Sequence, residues 1–140
     1  MVLARSKKHK RYSDIFASSA GEKDNYGTMF ESMLTSNTYK ALSIGAKHFY
    51  TLCRVQAQSE SGRRALYKLA EYEQRKQPYP QHFFVFPASH MRKYGVDDAN
   101  GRKYMRELIA CGFIVIKEDN SQRRIATIYA FSDLWKSIPA

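Results

Sequence analysis

The chain has 140 residues, room for one modest domain, and its 44% hydrophobic and 14% aromatic content is enough to form a buried core. Lys and Arg number 23 against 13 Asp and Glu, and this net charge of +10 favours a polyanionic partner such as nucleic acid. No stretch approaches the roughly 18 consecutive apolar residues that span a bilayer, and the basic start MVLARSKKHKRY is unlike a signal peptide. We therefore expect a cytoplasmic protein with no membrane partner.

Cysteine and histidine spacing argues against a disulfide framework and against a metal site. Cys53 and Cys111 each lie in an apolar helical pattern, where a free thiol behaves as a small hydrophobe. No histidine pair has the spacing that places two ligands on one helical face. The four histidines are His9, His48, His82 and His90. The chain also lacks a glycine-rich phosphate loop and a nucleophile with a partnered base, so we predict neither an enzyme nor a cofactor.

Residues 1–28 are predicted to form a flexible basic arm, with residues 29–140 as the folded domain. Five Lys or Arg residues fall within residues 5–11, and little apolar periodicity follows them. The only apolar cluster in the arm is Ile15-Phe16-Ala17. Two interpretations stay open for the arm: a clamp on the DNA backbone or minor groove, or a solubilising tail.

Helical periodicity dominates the first half of the domain. A short helix is predicted from Met29 to Leu34, a further short turn at residues 38–42, and Ser43 as the N-cap of a helix through Gln58. We expect residues 59–62 to break the pattern. A third helix is then predicted from Arg63 to Arg75, with Tyr72 on its inner face, ending before Pro78.

The second half alternates strand and helix signals. Residues 82–86 favour an edge strand, and residues 88–94 favour a short helix with Gly95 as its C-cap. Asp97 or Asp98 is expected to cap a second helix running to about Cys111. Two strands are predicted at residues 113–117 and 124–131, followed by a last helix at residues 133–137 that Ser132 caps and whose Trp135 folds back onto the core.

This order of strand, helix, tight turn, helix and hairpin, with the motif YGVDDANGRKYMRELIACGFI, resembles the winged helix-turn-helix family. The resemblance covers Phe83 to about Phe131. Members of the family place a glycine and an apolar residue at the turn, an apolar ladder along the second helix, and a glycine with an apolar pair before the wing. The matching positions are Gly95 and Val96, then Gly101, Tyr104 or Met105 and Leu108, and then Gly112, Phe113 and Ile114.

The chain departs from the family pattern at two places. Gly101 occupies a position usually filled by an aliphatic residue, where it permits close helix packing, and Asp97-Asp98 replaces hydroxyl or basic residues. The resemblance implies a mainly helical α+β fold, a winged helix-turn-helix with extra N-terminal helices and a two- to three-stranded antiparallel β-wing. The N-terminal helices match the family only loosely.

If Gly101, Met105 and Leu108 face inward, the opposite face of the second helix is basic. That face carries Asn100, Arg102, Lys103 and Arg106. Arg bonds guanine, Asn bonds adenine and Lys suits phosphate or guanine, so this face is predicted to read bases in the major groove of double-stranded DNA. An ordinary solvated helix face is the alternative. Tyr104 is predicted to be a core tyrosine.

The wing is predicted to add Lys117, Arg123 and Arg124, although Glu118 and Asp119 make an ordinary charged hairpin tip equally compatible with the pattern. The small size and basic tail are similar to accessory DNA-binding proteins of bacterial plasmids and conjugative elements. The sequence therefore predicts a protein that acts by occupancy, in plasmid or mobile-element transfer or replication or in transcriptional control. Other proteins of a nucleoprotein complex are possible partners, and a homodimer is one possible oligomeric state.

A rival function is an interaction module without specific DNA recognition. In that case the domain presents Phe83, Phe84, Phe86 or the region around Trp135 to a protein partner. Salt dependence separates the two functions, because binding through phosphates weakens steeply with salt and binding through an apolar interface does not.

Overall fold

The computed structural model describes Ala20 and residues 24–137. Most of the predicted arm, residues 1–19 and 21–23, and the last three residues, 138–140, lie outside the described residues. The described part is an α+β fold, about half helical, with six α-helices and one three-stranded antiparallel sheet. Within it, no helix has the length and apolar character needed to cross a membrane.

Helices occupy the first half of the fold, and strands and helices alternate in the second. The elements are α1 Glu31–Leu34, α2 Asn37–Lys40, α3 Ile44–Gln58, α4 Glu60–Tyr72, β1 Phe83–Val85, α5 Ala88–Lys93, α6 Asp98–Ala110, β2 Ile114–Glu118, β3 Ile128–Phe131 and a 3₁₀-helix Leu134–Ser137.

Polar N-caps set the starts of four helices. The Ser43 hydroxyl accepts a hydrogen bond from the Ala46 amide, so α3 begins where the sequence predicts, and it ends at Gln58 as expected. Ser36 caps α2 and Asp97 caps α6 in the same way. The predicted first helix was too long, because the residue before Glu31 is extended rather than helical.

The predicted start and end of α4 were wrong. Ser59 ends α3 and also caps α4 through the Gly62 amide, so residues 60–62 form the first turn of α4 rather than a break. Gly62 is needed there because a Cβ atom would lie 2.2 Å from the Gln56 carbonyl oxygen. The helix ends at Tyr72, which is 67% exposed rather than inward-facing.

The sheet has the strand order β1-β3-β2, with Phe84 opposite Tyr129 and Val115 opposite Ala130. One face packs on α3 through Phe84, whereas the other face, including Val85, packs under α4. Helices therefore cover β1 on both sides, and β1 is an edge strand as predicted.

The third strand begins at Ile128, four residues later than predicted. Asn120, which is buried, donates from its side-chain amide to the Ala126 carbonyl at 2.8 Å, and its backbone amide donates to the Thr127 hydroxyl. These bonds hold residues 120–127 as a closed loop. Arg124 has φ 56°, which is incompatible with an extended strand.

The main core lies between α3, α6 and the sheet. Helical spacing puts Ala46, Phe49, Cys53 and Ala57 on one apolar stripe of α3, and all four are buried, with Phe49 and Cys53 at 1% and 0% exposure. Burial raises the pKa of the Cys53 thiol well above its usual value, and both cysteines are free. Trp135 folds back onto this core as predicted and stacks on Phe113 with ring centroids 5.7 Å apart. The terminal helix is 3₁₀ and starts at Leu134, where Ser132 caps it.

Candidate nucleic-acid interface

Helices α5 and α6 form a helix-turn-helix around a left-handed glycine. Gly95 has φ 76°, a conformation that costs glycine little. The amides of Gly95 and Val96 donate to the carbonyls of Arg92 and Met91, which closes the end of α5. Asp97 then caps α6 by accepting a hydrogen bond from the Asn100 amide at 2.8 Å. The predicted turn and cap are both present.

The two faces of α6 divide as the sequence predicts. Gly101, Met105 and Leu108 are buried, and Leu108 has no solvent exposure. A Cβ atom at Gly101 would lie 2.3 Å from the Met91 sulfur, so the glycine permits the close packing of α5 on α6. The opposite face is exposed and carries the four predicted residues Asn100, Arg102, Lys103 and Arg106.

Acidic neighbours hold two of these four side chains. The side-chain amide of Asn100 donates to the second carboxylate oxygen of Asp97 at 3.2 Å, and Arg102 forms an ion pair with Asp98 one helical turn earlier. Among the residues that the structure describes, Lys103 and Arg106 form no ion pair. The spacing of Asp98 and Arg102 is the i,i+4 signal that sequence analysis left unused.

Glu107 ties α6 to the start of α3, a role that the sequence analysis missed. Its two carboxylate oxygens accept hydrogen bonds from the Ser43 amide and the Ser43 hydroxyl, both at 2.7 Å. Close to this tie, Tyr104 packs against Gly45, where a Cβ atom would meet its ring at 2.3 Å. The half-buried position of Tyr104 agrees with the predicted packing role. These contacts fix the rotation of α6 and therefore the direction of its basic face.

The three predicted wing residues have different surroundings. Arg123 forms an ion pair with Glu73 at 2.6 Å and donates to the Asn120 side chain at 3.1 Å. The hydrogen bond from Arg123 lowers the pKa of the Glu73 carboxyl. Arg124 is exposed at the tip of the loop. The ammonium of Lys117, on β2, lies 5.6 Å from the centroid of the Phe83 ring on β1.

Most of the aromatic side chains that the interaction-module alternative requires on the surface are buried. Phe84 and Phe86 are 2% and 3% exposed, so neither is available to a partner. Phe83 is half-buried and stacks on Tyr79. Phe83 borders a small cavity beside Tyr79, whereas Trp135 lies beside a wider groove that a partner segment could enter.

Histidines do not form a metal centre in the part of the chain that the structure describes, where no group of three metal-ligating side chains exists. Instead, His90 on α5 joins a hydrogen-bond bridge between elements. The Gln56 side-chain amide lies 2.8 Å from His90 Nδ1 and donates to the Val85 carbonyl at 3.0 Å. Burial, with the nearby Lys93 charge, lowers the pKa of His90.

The first described residues place the exit of the arm beside the helix-turn-helix. The Asn25 side chain donates to the Val55 carbonyl at 2.9 Å. Asp24 and Asn25 share a surface depression with Lys93 and Tyr94, at the end of α5. The chain that precedes Asp24 therefore joins the fold close to the turn between α5 and α6.

No family model matches this chain, and comparisons with curated proteins and with solved structures find no match.

Proposed function

We propose that the protein is a winged helix-turn-helix protein that binds double-stranded DNA and acts by occupying its site. One observation carries the proposal: the exposed face of the second helix of a helix-turn-helix presents Lys103 and Arg106 beside Asn100 and Arg102. Helices of this kind enter the major groove, where these side chains match guanine, adenine and phosphate.

The topology supports the finer fold assignment. Strand β1 precedes the helix pair, β2 and β3 follow it as a hairpin, and β3 pairs with both other strands. Residues 119–127 form the tip of that hairpin, with Arg124 exposed on it. This order agrees with a winged helix whose wing reaches a phosphate or the minor groove next to α6.

The net charge supports a nucleic-acid partner even when only the folded part of the chain is counted. Residues 24–137 contain 17 Lys and Arg against 11 Asp and Glu, a net charge of +6. Neutralising several phosphates releases condensed counterions, which gives such a protein salt-dependent affinity for any duplex. Base contacts from α6 then add the preference for one sequence.

The test is selection of bound fragments from random duplex DNA, followed by titration of the selected duplex. We expect a defined site whose affinity falls steeply between low and physiological salt. Lys103→Ala should weaken binding, whereas Lys40→Ala, an exposed lysine on α2, is the matched control and should bind as the parent does. Recovery of no preferred sequence, with equal binding by both variants, would overturn the proposal.

The selected site also bears on the biological process. A palindromic site would report a dimer through its half-site spacing. We propose a role as an accessory factor in plasmid or mobile-element transfer or replication, or as a transcriptional regulator. Mapping the selected sequence to a transfer or replication origin, or to a promoter, distinguishes these roles.

A further inference from the structure

An open groove of about 740 Å³ lies at the end of the sheet opposite the wing tip. Its floor contains the buried side chains Met33 and Tyr50, with half-buried Trp135 beside them. Phe30 and Leu134 also line the groove, and 59% and 54% of their surfaces are exposed. Large apolar side chains this exposed around a concave surface are typical of a protein-interaction site.

Arg54 is held in this groove in a fixed orientation. Its guanidinium carbon lies 4.0 Å from the centroid of the Phe131 ring, and its Nε donates to the Tyr50 hydroxyl at 3.1 Å. Among the described residues, no hydrogen bond engages its two terminal nitrogens and no carboxylate forms an ion pair with it. A guanidinium with its rotamer already fixed binds a carboxylate at a smaller entropic cost.

The charge of the groove is positive. Besides Arg54, it is lined by Lys117 and Lys136, and Asp133 is its one acidic residue. Lys117, which the sequence analysis assigned to DNA, therefore also faces this groove. A ligand that complements the groove carries negative charge and apolar surface together.

We propose that this groove binds a short segment of a partner protein in which an Asp or Glu lies next to bulky apolar residues. The carboxylate pairs with Arg54, and the apolar side chains pack between Phe30, Leu134 and Trp135. Arginine and tryptophan are the residues that most often dominate interface energies, and here both line one groove.

A peptide fits this groove better than a nucleic-acid strand does. A strand brings a phosphate with every nucleotide, and Asp133 beside Leu134 repels such a run of charges. Phe30 and Trp135 are rings on which a base can stack, but Leu134 and Met33 are aliphatic and offer no ring for a neighbouring base. A peptide places one carboxylate where Arg54 is and covers the aliphatic surface with its own apolar side chains.

The groove is separate from the basic face of α6. The Trp135 amide donates to the carbonyl of Gly112, just beyond the last residue of α6, whereas Asn100 and Lys103 lie in its first two turns. A segment bound in the groove leaves those turns uncovered. The inference therefore goes beyond DNA binding, and its test does not depend on DNA.

The experiment is a selection of peptides from a random heptapeptide library on the full-length protein, followed by titration with a synthetic selected peptide. Trp135 is the only tryptophan of the chain, so its emission reports occupancy of the groove directly. We expect the selected peptides to contain Asp or Glu next to Phe, Leu or Ile, and to shift this emission.

Three substitutions test the assignment of the contacts. Arg54→Gln should weaken peptide binding at least tenfold. Because Arg54 also packs on Phe131, Lys136→Glu provides a second variant at an exposed position, with at least threefold weaker binding expected. Lys76→Glu, an exposed lysine outside the groove, is the matched control and should stay within twofold of the parent.

Any one of the following results would overturn the proposal. The first is a set of selected peptides without carboxylates, or binding that neither Arg54→Gln nor Lys136→Glu changes. The second is displacement of the peptide by an equal concentration of a 12-nucleotide oligo-dT. The third is a dimer in sedimentation that Leu134→Ser dissociates, which assigns the groove to a second copy. The fourth is tenfold tighter peptide binding by Asp14→Ser/Phe16→Ser, which assigns the groove to the chain's own arm.

Discussion

Leu108 and Arg106 lie two residues apart on α6 and have opposite surroundings. Leu108 is fully buried in the main core, and Arg106 is exposed on the basic face. Leu108→Ala should lower the free energy of unfolding by about 2–5 kcal/mol through the cavity it leaves, without changing the DNA affinity of the folded fraction. Arg106→Ala should leave stability unchanged and weaken DNA binding by about 1–3 kcal/mol.

Melting curves and DNA titrations of the same two variants check this prediction. Loss of preference at one base position in Arg106→Ala assigns the arginine to a base, and equal weakening on all duplexes assigns it to a phosphate. If Leu108→Ala melts like the parent, the inferred faces of α6 are wrong.

We expect the stability of the protein to depend on pH through His90. Its pKa is lowered from 6.5 in the folded state, so below pH 6.5 the unfolded chain binds more protons at this position. The contribution of His90 to the free energy of unfolding is fully present above pH 6.5 and is lost as the pH falls through that value towards the lowered pKa. Urea unfolding should therefore give a smaller free energy at pH 5.5 than at pH 7.5.

His90→Asn is the control for this effect, because its side-chain oxygen can accept from the Gln56 amide without titrating in this range. The loss between pH 7.5 and pH 5.5 should be smaller in this variant. An identical loss in both proteins would show that another group carries the pH dependence.

At the scale of elements, the loop between β2 and β3 is held to the end of α4 by the ion pair between Arg123 and Glu73. A phosphate must compete with Glu73 for this arginine. Glu73→Gln removes the competing charge, so we expect tighter binding to all duplexes at low salt and a salt slope steeper by about 1, since one more cation neutralises a phosphate. Titrations at several salt concentrations check this.

Glu71→Gln, an exposed carboxylate two residues earlier on α4, is the matched control for the general effect of removing a negative charge. If both variants have the parent's salt slope, Arg123 serves only to hold the loop. That outcome would remove Arg123 from the proposed DNA contacts and leave Arg124 as the basic residue of the wing tip.

Hydrophobic periodicity and capping residues correctly predicted the features that depend only on residues close in sequence. The stripe along α3, the turn at Gly95 and the Asp97 cap each depend on residues close in sequence, and all three are present. The start of α4 was missed because Gly62, which usually interrupts a helix, is required there by contact with Gln56. That steric requirement exists only after α3 and α4 have come together.

The same difference between local and long-range contacts decides which parts of the candidate site were predictable from the sequence. The exposed face of α6 follows from its period, so the residues that share it were predictable. The tie from Glu107 to Ser43 spans 64 positions, and the ion pair from Arg123 to Glu73 spans 50. Such long-range partners depend on how the helices pack, and no pattern within one element reveals them.

At the scale of the whole molecule, the positive charge is shared between the folded part and the chain outside it. Of the net charge of +10, +6 belongs to residues 24–137 and five basic residues lie within residues 1–12. Deleting residues 1–12 should weaken binding on every duplex, keep the base preference and make the salt slope shallower by up to about 4.

Titrations of the selected duplex and of an unrelated one, each at several salt concentrations, measure both effects of the deletion. An unchanged affinity and slope would assign the arm to the role of a solubilising tail.

The bulge in β2 affects how copies of this protein interact with one another. Lys117 is the extra residue between Ile116 and Glu118, which pair with the consecutive residues Tyr129 and Ile128 of β3. It places a charge and a kink on the strand whose outer edge is open. Copies of the protein that meet along this edge therefore find a poor template for another strand, which disfavours aggregation by sheet-to-sheet pairing.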